Sequence, residues 1–283
     1  MGSGRTDSLS RRGLLKGALR LAAGAVATPY LLALLPRAAD AMGPQSAICP
    51  ALLRHEGNWD VRPNALETVL AEVNARTSIL VATRPATVDP GSEDIFRYPL
   101  LWMTGDRGFP RFPDADTENL RKHLMFGGTL IVDDATGLAD SAFASAAALQ
   151  LGLILPHAEL RPLSPEHPAY MAYYAVGRVS GRVMVSPRLE AVILDGRAAV
   201  ILCRNDLLGA LERTEGGGWM FSLPGAEQEN RILAARLAVN LVVYALSLDY
   251  KVDQVHNAYR LSHPQAYPTF RPGEDEPAAP AAR

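Results

Sequence analysis

The chain has 283 residues, 48% of them hydrophobic, enough to build one large domain or two small ones. Its net charge is −2, but the first 41 residues hold six Lys/Arg against two Asp/Glu, leaving 22 basic against 28 acidic residues in the rest, a balance of −6. That sign gives no electrostatic footprint for nucleic acid, which is therefore not expected as a partner.

Ser10-Arg11-Arg12-Gly13-Leu14-Leu15-Lys16 stands ahead of an uncharged run over 21–35, and Ala39-Asp40-Ala41 supplies a small-x-small cleavage pattern. That is the order of a signal peptide, and the paired arginines resemble the twin-arginine signal, which exports proteins already folded. Residues 1–41 are accordingly read as an export signal. The twin-arginine machinery is the expected partner through residues 10–16, and the periplasm the expected location. The 15-residue apolar run contains Pro29 and is shorter than the roughly 20 residues of a spanning helix, so membrane association is expected only if the signal is uncleaved. In an oxidising compartment Cys49 and Cys203 could pair, yet each lies in or beside an apolar run where a buried free thiol is ordinary. Two cysteines without suitably spaced histidines make no zinc site, and neither metal nor cofactor is expected.

The rest of the chain, 42–262, reads as a single α/β domain followed by a Pro/Ala-rich tail, 263–283, expected to be disordered. Residues 51–55 form a first strand, breaking at Glu56-Gly57-Asn58-Trp59-Asp60. Pro63 opens a helix to about Ala75, with Leu66, Val69, Leu70 and Val73 on one face. Residues 78–82 read as a second strand and 83–97, with Pro85, Pro90 and Gly91, as a loop. An apolar run over 99–103 stops at Thr104-Gly105-Asp106. Asp116 can cap a helix to about Phe126, and Gly127-Gly128 ends it and launches a second run, 129–132, closing on Asp133-Asp134. A helix over 141–151 follows, and 156–168 is irregular. The clearest hairpin is 189–194, Asp195-Gly196, then 198–203. Residues 219–223 read as a short strand and 227–248 as the longest helix, packed into the core.

Strand, helix, strand over 98–137 implies a three-layer, mostly parallel, doubly wound α/β sheet with an added β-hairpin. In such sheets ligands bind at the carboxyl ends of the strands. The ligand-binding candidates are therefore His55, Asn58, Trp59, Thr104, Gly105, Arg107, Asp133 and Asp134, with Asp106 beside them and Asn205-Asp206 a weaker prospect. Asp133, Asp134 and His167, in the loop Glu166-His167-Pro168, are the catalytic candidates, since adjacent carboxylates and a histidine suit acid/base work. An aromatic platform with carboxylates also suits a carbohydrate or a cell-envelope fragment.

Several segments in order carry a family resemblance: H-E-G-N-W, Y-P-L-L-W-M-T-G, G-G-T-L-I-V-D-D, S-P-E-H-P-A-Y and L-D-G-R-A-A-V-I-L-C-R-N-D-L. Over about 47–259 the chain resembles the bacterial domain of unknown function 4159 family. The resemblance implies a flavodoxin-like fold related to class I glutamine amidotransferases and ThuA-like proteins, with no established activity. In amidotransferases a G-G-x-L-x-x-C segment presents a nucleophilic cysteine; here Gly127-Gly128-Thr129-Leu130-Ile131-Val132 leads to Asp133. A carboxylate cannot do thiolate chemistry, so glutaminase activity is not expected. The leading expectation is a non-catalytic domain binding a ligand or partner protein at the carboxyl edge. The alternative is a hydrolase using Asp133 or Asp134 with a histidine or metal.

Overall fold

The computed structural model describes residues 47–262, with side chains as far as Ser247; residues 1–41, expected as an export signal, and the 263–283 tail lie outside the described residues. Seven strands form one sheet: β1 (Ala51–Leu53), β2 (Ala86–Val88), β3 (Leu100–Gly105), β4 (Thr129–Asp134), β5 (Arg161–Pro162), β6 (Glu190–Leu194) and β7 (Arg197–Cys203). Their order is β2-β1-β3-β4-β7-β6-β5, parallel from β2 to β7, with β6 and β5 antiparallel at one edge. This is the three-layer α/β architecture that the strand-helix-strand pattern implied, hairpin included.

The central strands β3 and β4 are buried along their whole length because helices cover both faces, which is why they read as unbroken apolar runs. Leu100, Trp102 and Ile131 point into a core shared with α1 (Ala65–Arg76) and α4 (Glu227–Ser262). Leu101, Met103, Leu130 and Val132 point the other way, into a core shared with α2 (Asp114–Met125) and α3 (Ala142–Ile154). Each such fully buried aliphatic side chain stabilises the fold by roughly 1.5–3 kcal/mol. Ser141 caps α3, its hydroxyl accepting the Ala144 N–H at 3.0 Å. Gly128 precedes β4 where a Cβ would lie 2.1 Å from the His123 ring, so glycine there is a packing requirement, while Gly127 takes a positive φ of 107°. Asp195 and Gly196 both have positive φ (49° and 81°), as a type I′ turn demands, and join β6 to β7.

Four element assignments change, one of them β5, a two-residue strand within the stretch 156–168 expected to be irregular. Residues 78–82 form no strand beyond a bridge between Ile48 and Val81, because the Asn74 side chain takes both the Val81 N–H and its carbonyl, each at 3.0 Å. The edge strand β2 lies instead in the stretch expected as a loop, bracketed by Pro85 and Pro90, which an edge tolerates. Residues 219–223 contribute one bridge, Arg213 to Trp219, rather than a strand. Cys49 and Cys203 are both free thiols, the second fully buried. Among the described residues no helix is long and apolar enough to cross a membrane.

Candidate functional site

The carboxyl ends of β1, β3, β4 and β7 bring the candidate residues to one edge, but into two separate groups. Side chains alternate along a strand, so Asp133 follows Ile131 toward the α1/α4 layer and Asp134 follows Val132 toward α2 and α3.

Asp133 is fully buried, and its two oxygens accept the backbone N–H groups of Leu207 and Leu208, each at 2.8 Å. Burial, with the charge of nearby Asp206, pushes its carboxyl up to about 7, although the two amides and Arg62 oppose the shift. Asp206, also fully buried, is the hub of this group. Arg62 grips it through Nε at 3.0 Å and Nη2 at 2.5 Å, Arg182 adds a further ion pair, and the Gly209 N–H donates to it at 2.9 Å. Both guanidiniums lie over the Phe221 ring, at 4.6 and 5.4 Å. Asp206 has φ +52°, a left-handed conformation uncommon for a residue with a side chain. Glu212 closes the group, its Oε1 accepting the Asn64 N–H (3.3 Å) and Nδ2 (3.1 Å) at the start of α1, while Oε2 is buried without a partner. Thr104 Oγ1, on the same face as Asp133, is likewise buried and unpartnered.

The second group straddles the ends of β1 and β3. Buried His55 bonds the Thr104 carbonyl through Nε2 (2.9 Å) and accepts the Gly57 N–H at Nδ1 (3.0 Å), so both ring nitrogens serve the backbone. Burial holds its pKa below the ordinary value, and the Thr104 bond only partly offsets this. Gly105 lies against Phe143, and its carbonyl accepts the Ala135 N–H at 3.0 Å. Half-buried Asn58 donates through Nδ2 to Asp106 at 3.0 Å, and exposed Arg107 donates to the other Asp106 oxygen at 3.0 Å. Burial alone would raise the Asp106 pKa, but Arg107 and Asn58 together bring it below the usual value. Trp59 stands beside them, half-buried, with the Arg54 guanidinium 5.2 Å from its ring centre.

Asp134 and His167 join neither group. Asp134 Oδ1 accepts the Thr136 N–H (3.0 Å) and hydroxyl (2.7 Å), with Oδ2 buried and unpartnered. His167 caps a short 3-10 turn by accepting the Ala169 N–H at 3.2 Å and packs on Tyr244, 5.3 Å away. Neither His55 nor His167 is hydrogen-bonded to Asp133 or Asp134, and no group of three or more metal-ligating residues occurs among the described residues.

The profile of a family described as Domain of unknown function (DUF4159) matches residues 50–246, from the lead-in to β1 into α4. The chain belongs to the DUF4159 family. Among curated proteins none matches it. A crystal structure of a ThuA-like protein from Parabacteroides merdae is similar at 13% identity, over 71% of this chain and 91% of that one, with a TM-score of 0.35. That likeness is too slight to carry any residue's role across.

What sequence reasoning missed in this DUF4159 domain is the buried hub. Arg62 and Asp206 lie 144 residues apart, and although Asp206 stands near the end of the segment L-D-G-R-A-A-V-I-L-C-R-N-D-L, nothing in the sequence marks Arg62 as its partner. Asn205-Asp206 at the end of an apolar run was the only hint of it, the same cue that picked out Asp133-Asp134 at the end of β4.

Proposed function

We propose that this DUF4159 domain is a non-catalytic binding domain whose ligand sits in the crevice between the loops that follow β1 and β3. One observation carries the reading. In the order β2-β1-β3 the chain leaves β1 in one direction and returns past it to β3, so the two loops diverge at a topological switch point, the place where doubly wound sheets bind ligands. Half-buried Asn58, Trp59 and Asp106 and exposed Arg107 lie there, the two loops joined by the Asn58–Asp106 bond. A half-buried indole beside amide, carboxylate and guanidinium groups suits a polyhydroxylated ligand such as a carbohydrate or a cell-envelope glycan, in keeping with the export expected from residues 1–41. Asp133 is the one group that favours a hydrolase, since its carboxyl titrates near neutrality. Its two oxygens are nonetheless committed to backbone amides, which supports binding over turnover.

Calorimetry of the full chain against soluble peptidoglycan fragments and oligosaccharides tests the reading. At least one glycan should bind, and Trp59→Ala and Asp106→Asn should each weaken it about tenfold or more with little change in melting temperature. Unchanged affinity in both variants, or glycan cleavage that Asp133→Asn abolishes, would overturn it.

A further inference from the structure

A second site lies away from the strand ends. On the outer face of the α1/α4 layer is a groove of about 450 Å3, within the size range of small-molecule sites. Four arginines reach it. Two are neutralised by neighbours on their own helices: Arg76 pairs with Glu72, and Arg231 with Glu227 at 2.5 Å. The other two, Arg213 and Arg236, form no ion pair with any carboxylate of the described residues.

Each unpaired guanidinium is held by an aromatic ring instead. Arg213 lies 3.8 Å from the Trp219 ring centre and Arg236 5.3 Å from that of Tyr174. Arg213 also donates to the Gly217 carbonyl at 2.7 Å, and Asn240, fully buried, fixes the Tyr174 backbone by accepting its N–H and donating to its carbonyl, both at 2.7 Å. A guanidinium stacked on a ring keeps its in-plane N–H edge free for a carboxylate or phosphate. Between the two charges the floor is apolar, formed by Ala235, Val239 and Ile232, the last 46% exposed.

Spacing narrows the ligand. Arg213 shares the Trp219 ring with Arg231, which lies 4.4 Å from its centre, and Arg236 follows five residues further along α4. Five residues of helix rise about 7.5 Å and turn the chain by about 140° beyond a full circle, so the two positions flank the groove and lie further apart than the rise alone. We infer that this groove binds a small molecule with two acidic groups joined by an apolar chain of medium length, the chemistry of an aliphatic α,ω-dicarboxylate. The two arginines take the two ends, and Ile232 and Val239 cover the chain.

Calorimetry of the full chain against succinate, adipate, suberate and hexanoate at low ionic strength tests the inference. Adipate or suberate should bind at least about tenfold more tightly than succinate or hexanoate, and added salt should weaken that binding. Arg213→Gln and Arg236→Gln should each remove most of the affinity while leaving far-ultraviolet circular dichroism and the melting temperature nearly unchanged. Trp59→Ala should not affect it, which separates this site from the strand-end crevice. Equal affinity for hexanoate and suberate, unaltered suberate binding in both arginine variants, or binding of a glutamate-rich peptide with no response to any diacid would overturn it.

Discussion

Arg62 and Asp206 form a two-pronged ion pair at the carboxyl edge of the sheet, with the aspartate fully buried and the arginine side chain 9% exposed. It joins the approach to α1 to the end of β7, so two segments distant in sequence share one buried charge pair. Removing Arg62 leaves the desolvated Asp206 with Arg182 as its remaining guanidinium and two of its hydrogen bonds unmade. Arg62→Met should therefore cost about 3–5 kcal/mol in urea unfolding, against about 0–1 kcal/mol for the exposed pair partner Arg97 changed to Met.

Asp133 should give the stability curve an unusual slope. Burial, then Asp206, lifts its folded pKa to about 7, above its unfolded value, so the fold favours the protonated form. Its contribution is fully present below the unfolded pKa and is lost as pH rises through about 7. Wild-type stability should carry a downward component between mildly acidic and neutral pH that Asp133→Asn lacks. At acidic pH the asparagine, with one oxygen for two amides, should cost about 1–3 kcal/mol. Urea midpoints across pH measure both; a pH-independent deficit would assign the slope to other groups.

The histidines act in the opposite direction. Burial lowers the pKa of His55, His123 and His167, so the unfolded chain takes up protons more readily. Their contribution is present above the ordinary histidine value of about 6.5 and is lost as pH falls below it. In Asp133→Asn, with the opposing carboxyl removed, acid destabilisation below that value should steepen, and adding His123→Gln should flatten it again.

Gly128→Ala drives a methyl into the His123 ring, whose Nε2 is bonded to the Tyr98 carbonyl at 2.8 Å. The alanine should destabilise by about 1–3 kcal/mol through overpacking. In the His123→Ala background the same change should cost much less, and thermal unfolding of the four-member cycle reads the coupling.

Export is tested by the paired arginines. With Arg11→Lys and Arg12→Lys together, the chain should accumulate inside the cell as uncleaved precursor. The unaltered chain should appear in the periplasm starting at Met42, as N-terminal mass spectrometry would report.

Much of the architecture was legible because burial on both faces leaves a simple mark. L-L-W-M in β3 and T-L-I-V in β4 could hardly be anything but interior strands, and Asp195-Gly196 could hardly be anything but a hairpin turn. The edge was harder to read. Ala86-Thr87-Val88 is short and flanked by prolines, while Val81 looked like a strand residue because nothing in the sequence reveals that Asn74 satisfies its backbone. The site divides similarly. Strand ends could be located, so Asn58, Trp59 and Arg107 were found together. The partners of His55 and Asp133 are backbone atoms, and those of Asp206 come from loops brought near only by the finished fold. Side-chain identity names what a residue can do, and the backbone decides whether that capacity is already spent.

The strand order also governs when the chain can fold. The flank of β4 is completed by β7, which is synthesised only after β5, β6 and the long segment between them. At about 5–20 residues per second, the Leu130–Val132 edge waits on the order of several seconds for its partner, with backbone groups unpaired and apolar side chains uncovered. Such an edge can pair with another nascent chain as readily as with its own β7, and non-local parallel pairing is slow in any case. Translation and chaperone capture therefore compete for β4 before any ligand does, and a chain truncated ahead of Arg197 should aggregate rather than fold in part.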